Sequence, residues 1–182
     1  QVNEREVYWY AGIRTRPVER DAAGRPLREE PDPRPMLLER YAKWHSPIPA
    51  LIEATERADL IRTDIYDRPP IDSWSFERIT LLGDAAHPMT PDLGQGACSA
   101  VEDAVALAEH LGRDVSVPSA LRAYEADRVA RAARIVMRSN RVSRLSQLAI
   151  PGACLIRDLA TFLTPPSMVK RGLERMILPA TA

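Results

Sequence analysis

Residues 78–111 constrain this chain more than any other stretch. The short apolar run RITLL at 78–82 reads as a buried strand of a parallel sheet. It passes directly into GDAAHPMTPDLGQG, a loop rich in Gly and Pro. From Ala97 the chain turns helical, ACSAVEDAVALAEHL, with Gly112 expected as its C-terminal cap. Cys98, Val101, Val105 and Ala108 fall on one side of that helix, and Ala97, Ala100, Ala104 and Leu107 on another. The pattern predicts a helix buried in a core, with alanines that allow close approach of a neighbour or ligand.

A helix start carries roughly half a positive charge and about four unpaired N–H groups. Gly94 and Gly96, one residue apart, permit close backbone approach there. An acidic side chain at the end of a strand, Asp84, is placed to accept hydrogen bonds from ligand hydroxyls, as in ribose recognition. The loop therefore suits an anion or an electron-rich group. A plain turn, capped by Asp84 and stiffened by Pro88 and Pro91, satisfies the same residues.

Composition narrows the class. The chain has 182 residues, and Lys+Arg and Asp+Glu are both 25, so its formal net charge is zero. Nucleic-acid binding calls for a basic excess, so no nucleic-acid partner is expected. No apolar run reaches the ~20 residues of a membrane span, and no signal peptide opens the chain. Cys98 and Cys154 lack CxxC or Cys/His spacing, which argues against a disulfide framework or a metal site. A reducing cytoplasm is the expected location. Position 1 is Gln rather than Met, and the chain reads as cut from a longer protein.

Elsewhere, EVYWYAGIRT at 6–15 predicts a strand with Tyr8 and Tyr10 on one face and Trp9 on the other. Residues 16–35 hold six prolines and glycines and predict a loop. Helices are expected over 36–45 and 49–58, a strand over 59–68, a helix from Ser119 to about Leu148, and a helical tail over 153–177 interrupted by Pro165-Pro166.

The string GDAAHPMTPDLGQGACSAVEDA resembles the second flavin-binding motif of the class A (single-component) FAD-dependent monooxygenases, in particular the salicylate hydroxylase, urate hydroxylase and zeaxanthin epoxidase group. The match runs over roughly twenty ordered positions, far beyond a bare Gly-x-Gly. The DRPPIDSW–ITLL approach and the long Arg/Ala helix resemble the same family's C-terminal half, weakening after about residue 145.

The resemblance implies a role for each matched position. Asp84 would bind a ribityl hydroxyl of FAD, and Gly83 would let the chain turn beside it. His87 would shape the loop, a loop histidine rather than an acid or base. Pro91 would wall the reaction site. The backbone of Gly94, Gln95, Gly96, Ala97 and Cys98 would face the flavin N1/O2 side, where the helix start stabilises the anionic reduced form. Many members carry Asn where this chain has Cys98, and Cys98 is read as a small packing residue. Tyr8, Trp9 and Tyr10 would belong to the sheet that floors the substrate pocket.

The implied fold class is α/β, an α+β fragment: part of a FAD/NAD(P)-binding Rossmann-like domain, part of a substrate-domain β-sheet, then C-terminal helices. The expected divisions are 1–72 for the substrate sheet and connecting helices, 73–115 for the flavin-binding strand–loop–helix, and 116–182 for the helical region. The implied reaction is hydroxylation or epoxidation of an aromatic or conjugated small molecule with O2, NADH or NADPH reducing the flavin and a C4a-hydroperoxide carrying the oxygen. The chain's eight glycines include no GxGxxG. The N-terminal half is therefore an expected partner, and the isolated chain is expected to be inactive. A flavin-dependent reductase without oxygen insertion and a non-catalytic fragment are the alternatives.

Overall fold

The computed structural model describes residues 6–27, 31–113 and 116–177. It divides into two units, Gln1–Asp64 and Ile65–Ala182.

In the first unit the prolines of the loop set the entry to α1, Arg34–Tyr41. The Asp32 carboxylate accepts from the Arg34 backbone N–H at 2.9 Å and pairs with its guanidinium. α2, Ile48–Ala54, packs on α1, and Leu37 and Ile52 are the buried residues of the pair. The expected strands over 6–15 and 59–68 are absent: both segments run without a ladder. β-branched and aromatic residues favour an extended chain, but a strand exists only where a neighbour pairs with it. The alternation of side chains nevertheless holds. Tyr8 and Tyr10 are 75% and 80% exposed, with ring centroids 6.5 Å apart. Trp9 is half-buried and donates Nε1–H to Thr55 Oγ1 at 3.1 Å.

The second unit opens with a two-residue antiparallel hairpin, β1 Ser75–Phe76 and β2 Ile79–Thr80, turning at Glu77 with φ 49°. This corrects the expected buried parallel strand at 78–82. Ile79 is 69% exposed, and among the described residues the only partner for this run is the segment just before it. A parallel ladder needs a second strand reached by a crossover. The hairpin is tied down by Glu125, whose carboxylate accepts from the backbone N–H groups of Trp74 and Ser75 at 2.6 and 2.5 Å.

Helices account for most of this unit: α3 Gly96–Arg113, α4 Val117–Ser146, α5 Pro151–Leu163 and α6 Pro166–Ile177. α3 runs through Gly112, which is therefore not its cap. α4 begins before Ser119. Ser116 is its N-cap and accepts from the Ser119 N–H at 3.3 Å, with Pro118 in the first turn. Pro165-Pro166 separates α5 from α6 as proline must, lacking a donor and clashing with the preceding turn.

The core lies between α3, α4 and the hairpin: Trp74, Ala86, Tyr124 and Ala132, with Leu81, Leu107 and Val129 against them. α3 departs from the expected burial on both faces. Its buried residues are the polar Ser99 and Asp103, whereas Val101 and Val105 are 64% and 54% exposed and Cys98 is exposed. α3 packs on α4 and on the turn at Gly83. The side it turns to them is the one carrying Ser99 and Asp103.

Candidate functional site: the Gly83–Gly96 loop and the start of α3

After Leu82 the chain turns at Gly83 in the left-handed region, φ 58°, and makes one 3₁₀ turn through Ala85. Both Ala86 and His87 N–H groups donate to the Gly83 carbonyl, at 2.8 and 2.9 Å. A Cβ on Gly83 would stand 3.1 Å from the Ala100 Cβ, so glycine is what allows the turn to lie against α3.

Side chains from two helices pin the loop from behind. Asp103 is fully buried and is the centre of the clamp. Its Oδ2 accepts from the Gly83 N–H at 3.1 Å and from His87 Nε2 at 2.5 Å, and its Oδ1 accepts from Arg128 Nε at 2.8 Å. Arg128 and Arg131 both donate to Glu102, Arg131 in bidentate fashion at 2.7 and 2.8 Å. Further along, Tyr124 OH donates to the Leu81 carbonyl at 3.2 Å. Ser139 donates to the Thr90 carbonyl at 2.6 Å, which leaves its oxygen to accept from the Thr90 hydroxyl at 2.9 Å. Arg68 reaches the Ala86 carbonyl at 2.9 Å.

The His87 ring is 2% exposed and lies against Trp74, ring centroids 5.4 Å apart. With Nε2–H donating to Asp103, its Nδ1 is a buried ring nitrogen with no hydrogen-bond partner. The side chain thus faces the clamp.

The front of the loop is open. Asp84 is exposed, and its Oδ1 lies 3.9 Å from where a Gly96 Cβ would stand. The 3₁₀ turn Pro91–Leu93 ends on Gly94 at φ 61°, again left-handed, with nothing within 4 Å of a would-be Cβ. Gln95 supplies the carbonyl that accepts the first helical bond, from Ser99 at 2.9 Å, and its side chain folds back to Leu93. Ala97 and Cys98 are exposed, as is Pro91. The first N–H groups of α3 lack acceptors by helix geometry, and a free carboxylate lies beside them. That is an acceptor for hydroxyls next to donors for an electron-rich or anionic edge, which fits a flavin ring with its sugar-alcohol chain. The structure thus brings Gly83, Asp84, Gly94, Gln95, Gly96, Ala97 and Cys98 together, with Pro91 at the edge and His87 behind. Tyr8, Trp9 and Tyr10 belong to the other unit.

The FAD binding domain family matches residues 63–139. Over 157 residues the chain is 45% identical to an aurachin C monooxygenase/isomerase of Stigmatella aurantiaca, covering 86% of this chain and 39% of that protein. Over 105 residues it is 43% identical to a chloroplastic zeaxanthin epoxidase of Oryza sativa subsp. japonica, 52% of this chain and 16% of that one. The chain is similar to the class A FAD-dependent monooxygenases. Its fold superposes on Klebsiella pneumoniae HpxO complexed with FAD and uric acid with a TM-score of 0.76 at 29% identity, covering 85% of this chain and 40% of that one. The chain therefore spans about two fifths of the length of the aurachin C monooxygenase/isomerase and of HpxO, and 16% of the zeaxanthin epoxidase.

The family motif contains Gly83, His87, Glu102 and Asp103, but the roles it implied describe the front of this site and not the clamp behind it. Ser99 and Asp103, four residues apart in an alanine-rich helix, were the available signal: polar groups on one helical row point to a buried polar partner. The clamp also sets an acid limit. Hydrogen bonds from Arg131, against the opposing effect of burial and helped by Arg128, hold the Glu102 carboxyl below its ordinary range. At Asp103 burial pushes upward, but His87, Arg128 and the Gly83 N–H together outweigh it. Depressed carboxyls stabilise the fold fully above their unfolded values of about 3.9 and 4.3 and lose that contribution as pH falls through the lower folded values. The melting temperature is expected to hold down to about pH 5 and fall steeply below about pH 4. Glu102→Gln should flatten that fall; an unchanged acid slope would exclude Glu102 as a contributor.

Proposed function

We propose that this chain carries the isoalloxazine-and-ribityl side of the flavin site in an enzyme that hydroxylates or epoxidises an aromatic or conjugated small molecule. The observation that supports it is the exposed Asp84 carboxylate beside the open start of α3. Asp84 would accept from a ribityl hydroxyl, and the N–H groups of Gly96 to Cys98 would face the N1/O2 edge, where the helix dipole favours negative charge. Gly94 keeps the approach free of a side chain, and Pro91 would wall the reaction site. When bound, FAD supplies the redox chemistry, accepting electrons from NADH or NADPH and activating O2. The residues of this chain contribute position and electrostatics; none of them is assigned a proton transfer. The pyrophosphate-binding portion would come from a segment bearing the glycine motif this chain lacks, and the whole enzyme is placed in the cytoplasm.

Asp84→Ala should weaken flavin binding by about ten- to a hundredfold, the worth of a hydrogen bond to a charged group. Because Asp84 is exposed, melting should stay within about 1 °C of the parent. Quenching of riboflavin and FAD fluorescence reads the affinity, and lumiflavin, which lacks the sugar alcohol, should be indifferent to the substitution. Equal affinity of parent and variant for riboflavin would remove Asp84 from the site. For the enzyme carrying both halves, product formed under 18O2 should contain one labelled oxygen; unlabelled product would favour a reductase.

A further inference from the structure

The C-terminal helices present their surface in an inverted sense. α5 contains no buried residue. Its half-buried positions are Ala153, Cys154 and Arg157, and these face the end of α4: Cys154 Sγ donates to the Leu148 carbonyl at 3.0 Å, and Arg157 donates to the Ser146 carbonyl at 3.1 Å. The opposite face carries Leu155, Ile156, Leu159, Phe162 and Leu163, which are 71%, 72%, 55%, 85% and 65% exposed. Residues at this spacing share one side of a helix. A helix of a soluble protein turns such a stripe inward, and contiguous exposed apolar patches mark interaction sites. α6 adds Met168 and Val169, 62% and 51% exposed. These helices lie beyond residue 139, where the match to the FAD binding domain ends.

Charge chooses the occupant. The whole chain is neutral, yet residues 128–177 hold ten Lys or Arg against Asp158 and Glu174 alone. Arg128 and Arg131 are committed to the clamp. Arg134, Arg138, Arg141 and Arg144 recur at three- and four-residue spacing on an exposed side of α4 and make no ion pair among the described residues. Arg138 reaches the Gly172 carbonyl of α6 at 3.4 Å, so α6 lies beside this row of cations. A second copy of the chain would bring like charge against like charge. An anionic bilayer surface accepts both features, apolar side chains below the headgroups and cations among them. No helix of the described residues is long and apolar enough to cross a membrane, so the element would lie on the surface.

We propose that α4–α6 form an interfacial membrane-binding element selective for anionic phospholipid, independent of the flavin reading. Co-sedimentation with vesicles tests it. The chain should pellet with vesicles of about one-third phosphatidylglycerol in phosphatidylcholine, and partition about tenfold less onto phosphatidylcholine alone or at about 0.5 M salt. Leu159→Glu with Phe162→Glu should lower the partition at least about tenfold. Arg138→Ser, Arg141→Ser and Arg144→Ser together should abolish the preference for anionic lipid. Val101→Glu with Val105→Glu, on the exposed side of α3, should leave partition unchanged; an equal loss there would mean adhesion of any apolar patch and overturn the proposal. So would a parent that stays in the supernatant, one whose α5 variants change only a dimer to a monomer by sedimentation equilibrium, or an enzyme carrying both halves that no longer pellets with the vesicles that the chain alone binds. Circular dichroism of the α5 variants, whose substituted side chains are exposed, confirms that they stay folded.

Discussion

Asp103→Ala is expected to melt about 10 °C below the parent. The substitution leaves three donors without their acceptor at a site closed to solvent: the Gly83 N–H, His87 Nε2 and Arg128 Nε. Breaking a buried ion pair from one side costs about 3–5 kcal/mol, and at this chain length each kcal/mol moves Tm by roughly 3 °C. Asp103→Asn keeps the shape and one acceptor oxygen. Its amide can also donate to His87 Nε2 if the ring changes tautomer, but the Gly83 N–H then goes unpaired. The Asn variant should therefore fall between parent and Ala. Asp103→Leu with Arg128→Met removes both charges and should recover part of the loss, again short of the parent because the Gly83 amide stays orphaned. Circular dichroism melts at neutral pH give the ranking. An Ala variant within about 2 °C of the parent would mean that Asp103 does not hold the loop.

The same clamp shows where the sequence was informative and where it was not. Helices α1, α2 and α4 to α6 follow from local pattern and proline placement, because periodicity and the missing proline donor act within a few residues. The order of groups at the front of the site was equally legible, since Asp84 through Cys98 form one continuous stretch. The clamp was hidden because its members are 16 to 29 residues apart in sequence, as in the Asp103–His87 and Glu102–Arg131 pairs. No local rule brings them together. The apolar residues of α3 misled for a related reason: a helix pattern tells which residues can be buried, and its neighbours decide which are. Here α3 turned Asp103 inward because Arg128 on α4 and the Gly83 turn offered it partners. The strands at 6–15 and 59–68 failed on the same ground, since extended propensity without a paired neighbour makes no sheet.

Gly83→Ala is the second large effect, and Gly94→Ala is its built-in control. Both glycines are left-handed, at φ 58° and 61°. An alanine there carries a backbone penalty of about 1–2 kcal/mol at either position. The surroundings differ: a Cβ at Gly94 meets nothing within 4 Å, whereas at Gly83 it meets the Ala100 Cβ at 3.1 Å. Neither atom can swing away, because one is fixed to the turn and the other to the α3 backbone. Gly83→Ala should then add an overpacking cost of about 1–3 kcal/mol and open the turn whose amide Asp103 holds. Denaturant midpoints should rank parent, Gly94→Ala and Gly83→Ala in falling order, with the second loss about twice the first. Ala100→Gly removes the clashing methyl at a helix-propensity cost of about 1 kcal/mol, so Gly83→Ala with Ala100→Gly should be less destabilised than the two single losses added together. Strict additivity of the pair, or equal losses at Gly83 and Gly94, would show that the turn does not rest against α3 and that the loop carrying Asp84 is positioned by other contacts.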